Sequence, residues 1–275
     1  NLEILLREPD LLVTHNTAIL GILGIGKSCL TFELIQKIIN STHSKIICID
    51  ITGEYNNKDK GLPRYIDSDL IEFGVENINS KLEGQELSVE DSKYDGGNVK
   101  ILMEILQKEI EDFMSNTNNK RVKIINPEEI QAIQQMEHAK NRQKDGKWEM
   151  YAPFGELSVT ETTRIISESA LKIAKELGMQ DNAKLLLVFE EAHSLVPEWN
   201  SISNDGDKIA TNGIVKVILQ GRKYGLGSLV ITQRTANISK SILNQCNTIF
   251  ALRVFDDTGK QFLENYVGPD YSSVL

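Results

Sequence analysis

Apolar residues along the chain fall into two kinds of run. Short β-branched stretches without polar alternation occur at Asn16–Leu20, Lys45–Asp50, Lys184–Phe189, Gly227–Thr232 and Thr248–Val254. Such runs are expected of strands buried on both faces of a parallel sheet. Between them the spacing is helical. Cys29–Asn40 follows the first run, and Glu161–Leu177 repeats Ile165, Ile166, Ala170, Ile173, Ala174 and Leu177 before Gly178, a natural C-terminal stop. Strands alternating with helices predict a three-layer α/β fold with a largely parallel sheet, whose ligands sit at the carboxyl ends of the strands.

One region breaks the alternation. From Lys58 to Gly146 the sequence is polar and less regular, with an amphipathic helix over Val99–Met114 and a second helix predicted near Pro127–Lys144. The expected organisation is a core built from 1–57 and 147–275, interrupted by a mainly helical insertion over 58–146. The chain opens on Asn1 and closes on Leu275, which reads as a fragment of a longer polypeptide.

The first run leads straight into Gly21-Ile-Leu-Gly24-Ile25-Gly26-Lys27-Ser28, which meets the phosphate-loop pattern G-x-x-x-x-G-K-[ST]. Glycines let the loop turn so that the N–H groups of Ile25, Gly26, Lys27, Ser28 and Cys29 converge on a β-phosphate at a helix N-terminus. Lys27 would bridge β- and γ-phosphates, and Ser28 would hold Mg²⁺. The third run ends Phe189-Glu190-Glu191-Ala192-His193. Successive residues at a strand end point differently, so Glu190 is expected in the Mg²⁺ shell and Glu191 on the attacking water; a solvated acidic turn is the plain alternative. Gln233, ending the next strand, is a candidate γ-phosphate sensor. Arg222 or Arg234 would stabilise the transition state, in cis or from a neighbouring subunit, unless they are ordinary surface arginines.

Asp50-Ile-Thr-Gly53 also fits the D-x-x-G of GTPases. The paired glutamates lie on a later strand, however, and no guanine-reading Asn-Lys-x-Asp exists; Asn57-Lys58-Asp59-Lys60 is a near miss in the wrong place. Asp50 either ends its strand or serves the site. A small-molecule kinase is disfavoured, because tandem glutamates on a central strand are unusual there and no acceptor lid is visible.

Composition narrows the setting. Three cysteines, Cys29, Cys48 and Cys246, are far apart and odd in number, fitting neither a disulfide framework nor a zinc site, and they point to a reducing, cytoplasmic environment. Apolar runs such as Leu185–Phe189 fall well short of the roughly 18 residues of a membrane span. The formal charge of −9 excludes a surface that is basic all over, yet allows a few cations facing a narrow channel. Lys140, Arg142, Lys144 and Lys147 are either solvated surface or contacts to DNA phosphates. His193 either relays nucleotide state or caps and packs.

Taken in order, several of these segments resemble one family. The loop with its internal Gly24, Asp50-Ile-Thr-Gly53-Glu54-Tyr55, Glu190-Glu191-Ala192-His193, Gly221-Arg222-Lys223-Tyr224-Gly225, Thr232-Gln233-Arg234 and Gln245-Cys246-Asn247-Thr248 are similar to the HerA/FtsK-type motor ATPases, specifically the HerA-like branch. The resemblance implies a RecA-like P-loop core, assembly as a hexameric ring, ATP and Mg²⁺ bound at subunit interfaces, and double-stranded DNA moved through the pore. It further implies a nuclease or sirtuin-like effector as partner, as in bacterial anti-phage systems. The family's N-terminal barrel is not recognisable. Glu190 replaces the usual Asp, and Thr235 stands where the family has Pro. An ATP-dependent scaffold that activates an effector with little translocation is the competing expectation.

Overall fold

The computed structural model describes residues 8–115, 119–202, 205–253 and 257–267. The chain runs α1 (Pro9–Thr14), β1 (Thr17–Leu20), α2 (Lys27–Ser41), β2 (Lys45–Ile49), β3 (Ile71–Phe73), α3 (Glu76–Leu82), α4 (Val99–Met114), β4 (Val122–Ile125), β5 (Ile133–Gln135), β6 (Lys140–Lys144), β7 (Lys147–Tyr151), β8 (Phe154–Glu156), α5 (Val159–Glu176), β9 (Gln180–Phe189), α6 (Ala192–Leu195), α7 (Asp205–Gly221), β10 (Tyr224–Thr232), α8 (Lys240–Leu243), β11 (Thr248–Ala251) and α9 (Asp257–Val267). Seven strands form one parallel sheet in the order β11-β1-β10-β9-β2-β4-β3.

The strands carry no polar alternation because both faces of the sheet are covered. Ile46, Cys48, Leu186, Val188, Leu229 and Ile231 pack with Phe32, Ile35 and Ile38 of α2 on one face. Their sequence neighbours Ile47, Ile49, Leu187, Phe189 and Val230 pack with α4, α5 and α7 on the other. The two-residue period of a strand delivers each set to its own side. α5 starts one turn before its apolar spacing shows, because Ser158 and Glu161 close a reciprocal capping box. It stops where Gly178 takes φ +83, as its predicted role requires.

Two expectations for 58–146 are corrected. The segment is not a helical insertion apart from the core, since β3 and β4 lengthen the central sheet. Lys123 concealed β4 by interrupting its apolar run; its ammonium is buried between Glu72 (2.5 Å) and Glu109 (3.2 Å). The helix expected near Pro127–Lys144 is instead a short 3₁₀ turn followed by β5 and the β6–β7 hairpin. Asp145 and Gly146, at φ 50 and 77, form the tight turn that pairs these strands. Among the described residues no helix is long and apolar enough to cross a membrane.

Candidate active site

The loop after β1 holds Leu23, Gly24, Ile25 and Gly26 at the surface and enters the 15-residue helix α2. Gly24 and Gly26 adopt φ +76 and +97, which a side chain would strain. The first-turn N–H groups of α2 have no intrahelical acceptors, so with the helix dipole they make an anion-binding end. Lys27 is buried, and its Nζ donates to the Ile22 carbonyl at 3.0 Å, arching over the loop. Ser28 Oγ donates to Glu54 Oε2 at 2.9 Å. Cys29 is exposed.

Glu54 reaches Ser28 because the turn after β2 is stapled from within. Buried Asp50 accepts from the Thr52 amide (2.8 Å) and hydroxyl (2.6 Å) through Oδ1, and from the Tyr55 amide (3.1 Å) through Oδ2. Gly53 supplies the left-handed residue, at φ +70. Asp50 therefore ends its strand and also builds the site. The turn drives the Tyr55 ring fully inside, where its hydroxyl donates to Glu190 Oε2 at 2.7 Å.

Glu190 is itself buried, and its carboxyl is pushed up to about 8. Loss of solvation is the main cause; the charges of Asp50, Glu191 and Glu54 add to it, and the Tyr55 hydrogen bond opposes it. Burial beside that carboxylate raises the Tyr55 hydroxyl well above its ordinary value.

Glu191 follows at φ 49, ψ 51, a left-handed conformation that costs a non-glycine residue about 1–3 kcal/mol. Strain of this kind persists only where surrounding structure holds it. Here the chain turns from β9 into α6, and Glu191 Oε2 lies 3.2 Å from His193 Nδ1 without forming a hydrogen bond among the described residues. The same imidazole nitrogen is 3.3 Å from Thr232 Oγ1, which also accepts the Arg234 amide at 3.1 Å. His193 thus ties the end of β9 to the end of β10, where Gln233 is half-buried and Arg234 exposed.

Sequence and structure agree on a phosphate loop, Glu191 and Gln233 gathered at the carboxyl edge of one parallel sheet. They part over two residues. Arg222 precedes β10 and so lies on the edge opposite Gln233 and the phosphate loop, roughly 30 Å of extended strand away. Ser28 and Glu190, expected to share a cation, do not share a hydrogen bond; the carboxylate on Ser28 is Glu54, and Glu190 is held by Tyr55. Among the described residues no group of three or more His, Cys, Asp or Glu side chains is arranged for a metal. An oxygen pair such as Ser28 and Glu54 suits Mg²⁺, which usually keeps several waters and takes phosphate oxygens as further ligands. Sequence reading missed the Ser28–Glu54 and Tyr55–Glu190 contacts, although Asp50-x-x-Gly53-Glu54-Tyr55 was visible as a motif.

The family model described as "Helicase HerA, central domain" matches residues 2–177. A probable helicase of Methanocaldococcus jannaschii is 20% identical over 299 residues, covering 94% of this chain and 56% of its own length. A probable DNA double-strand break repair helicase HerA of the same organism is 28% identical over 109 residues, covering 39% of this chain and 20% of its own. The chain thus spans little more than half of the longer-matched relative. Among solved structures, the genome packaging NTPase B204 of Sulfolobus turreted icosahedral virus 2 bound to ATP-gammaS is similar at TM-score 0.53 and 11% identity, covering 97% of this chain and 86% of that one. That likeness establishes the RecA-like α/β fold. The family match extends over the phosphate loop, the stapled turn and the paired helices of the core, and the chain accordingly belongs to the HerA helicase central-domain family, within the P-loop ATPases of HerA/FtsK type.

Proposed function

We propose that the protein hydrolyses ATP as one subunit of a hexameric ring and uses the reaction to move double-stranded DNA. The observation that carries this reading is Glu191, strained and half-buried where β9 turns beside the phosphate loop's sheet edge. Loop N–H groups and Lys27 hold the phosphates, and Ser28 with Glu54 hold the cation's side of them. Mg²⁺, when bound, supplies positive charge to the phosphate oxygens. Glu191 takes the proton of the attacking water, Gln233 orients that water, and Glu190 with Tyr55 fixes the floor beneath Glu191. Arg234 serves its own site, whereas Arg222 serves a neighbour's. The relatives named as DNA double-strand break repair helicases support DNA as the substrate; a nuclease or other effector as partner belongs to the same proposal.

Glu191→Gln provides the test. The variant is expected to bind ATP as the parent does while hydrolysing it about 10²- to 10⁴-fold more slowly, the usual contribution of a positioned base. Near-parental turnover, followed as phosphate release, would remove Glu191 from the chemistry. The buried Glu190 favours a second reading, a ring that needs ATP only to assemble and to activate its effector. Under that reading Glu191→Gln would still support effector activity.

A further inference from the structure

The β6–β7 hairpin takes no part in the site, yet it has a consistent chemistry. Its register places Lys140 opposite Tyr151, Arg142 opposite Glu149, and Lys144 opposite Lys147. Directly paired residues share a face and alternate residues share it too. All four basic side chains therefore lie on one face, while Gln143, Trp148 and Met150 occupy the other. Every residue of the two strands is exposed except Glu149, which is half-buried.

Two features leave this face unfinished. An isolated two-stranded hairpin is at best marginally stable in water. Like charges directly opposite on a sheet are destabilising, but Lys144 and Lys147 face each other at the tip, and no ion pair joins either of them to another described residue. Arg142, by contrast, is fixed for use, with Nε 2.7 Å from Glu149 and its guanidinium 4.3 Å from the centre of the Tyr151 ring. Lys140 is paired with Glu137 at 3.6 Å, so the uncompensated charge gathers at the Lys144–Lys147 tip; two cations facing each other there, on a chain whose net charge is −9, call for an anion with repeated charges. Same-face residues along a strand recur at roughly 6.8 Å, a spacing comparable with that of neighbouring phosphates on one strand of DNA.

We infer that the β6–β7 hairpin is a DNA-gripping element, its basic face lying along the phosphate backbone of the duplex with Lys144 and Lys147 at the leading tip. It contacts phosphates and so positions DNA without reading sequence. The hairpin leaves the body between β5 and β8, which follow the carboxyl end of β4, on the edge of the sheet that also carries the phosphate loop. This inference rests on the reading of the chain as a DNA motor.

The test is duplex binding by fluorescence anisotropy across a salt series, for the parent, for Lys144→Glu/Lys147→Glu and for Lys144→Arg/Lys147→Arg. Each lost phosphate contact lowers the slope of log affinity against log salt by about 0.9. The charge-reversed variant is expected to lose at least tenfold in affinity with a shallower slope, and the arginine variant to bind as the parent does. Equal binding and equal slope in parent and charge-reversed variant would overturn the assignment while leaving the motor reading intact. Absence of duplex binding by the parent would overturn both. Loss of ring assembly in the charge-reversed variant, seen by mass photometry, would reassign the hairpin to a protein contact and overturn it as well.

Discussion

Tyr55 and Glu190 face each other across the floor of the site, and their contact has consequences that titration can reveal. The Glu190 carboxyl, raised to about 8, keeps its proton in the folded chain over a pH range where the unfolded chain has released it. Folding is therefore favoured most below the ordinary carboxylate range, and this contribution is lost as pH rises through about 8. The thermal midpoint of the parent is predicted to decline between about pH 5 and pH 8. Glu190→Gln keeps the size and hydrogen-bonding capacity of the side chain without the titration, so its midpoint should be flatter across that window. A decline of equal steepness in both proteins would mean that Glu190 is ordinary. The phosphate loop and Glu190–Glu191 were legible in the sequence because each motif is local. Glu54 was not marked as a partner of Ser28, because that contact joins the start of α2 to the turn after β2, and β10 and β9 separate those two strands in the sheet. Asp50, which looked like a GTPase residue, proves to organise its own turn.

Elements were legible where packing enforces a simple period. Strands buried on both faces read as apolar runs, and α4 and α5 as helical spacing. β4 escaped because one of its four positions is a lysine neutralised by two distant glutamates, which no local pattern reveals. β6, the first strand of the hairpin, falls within the segment expected as helix, although Lys140, Arg142 and Lys144 already alternate and Asp145-Gly146 is a hairpin turn. Close approach between elements is equally hidden. α1 crosses the sheet so tightly that a Cβ on Gly227 would stand 1.6 Å from the Val13 carbonyl oxygen. Gly227→Ala must push α1 away, and about 1–3 kcal/mol of stability should be lost, as for other overpacked sites. Urea unfolding measures this; a loss below about 0.5 kcal/mol would show that α1 yields freely.

At the scale of the whole molecule, the proposed ring divides the site into what one subunit completes and what it would borrow. Glu191, Gln233 and the phosphate loop share the carboxyl edge, whereas Arg222 sits at the other end of β10. Subunits lacking Arg222 and subunits lacking Lys27 are each predicted to be inactive alone. A mixture of Arg222→Ala and Lys27→Ala should regain part of the ATPase rate, because some interfaces then pair an intact loop with an intact arginine. A mixture no faster than its separate components would confine Arg222 to the surface. The net charge of −9 confines the proposed DNA contact to localised cations, such as those of the hairpin face. In the proposed motor, ATP turnover at the phosphate loop is coupled to duplex DNA. Steady-state ATP hydrolysis with and without duplex DNA tests it most directly. A rate raised several-fold by duplex in the parent, and abolished with or without DNA by Glu191→Gln, is the predicted result; a parental rate that duplex leaves unchanged would contradict it.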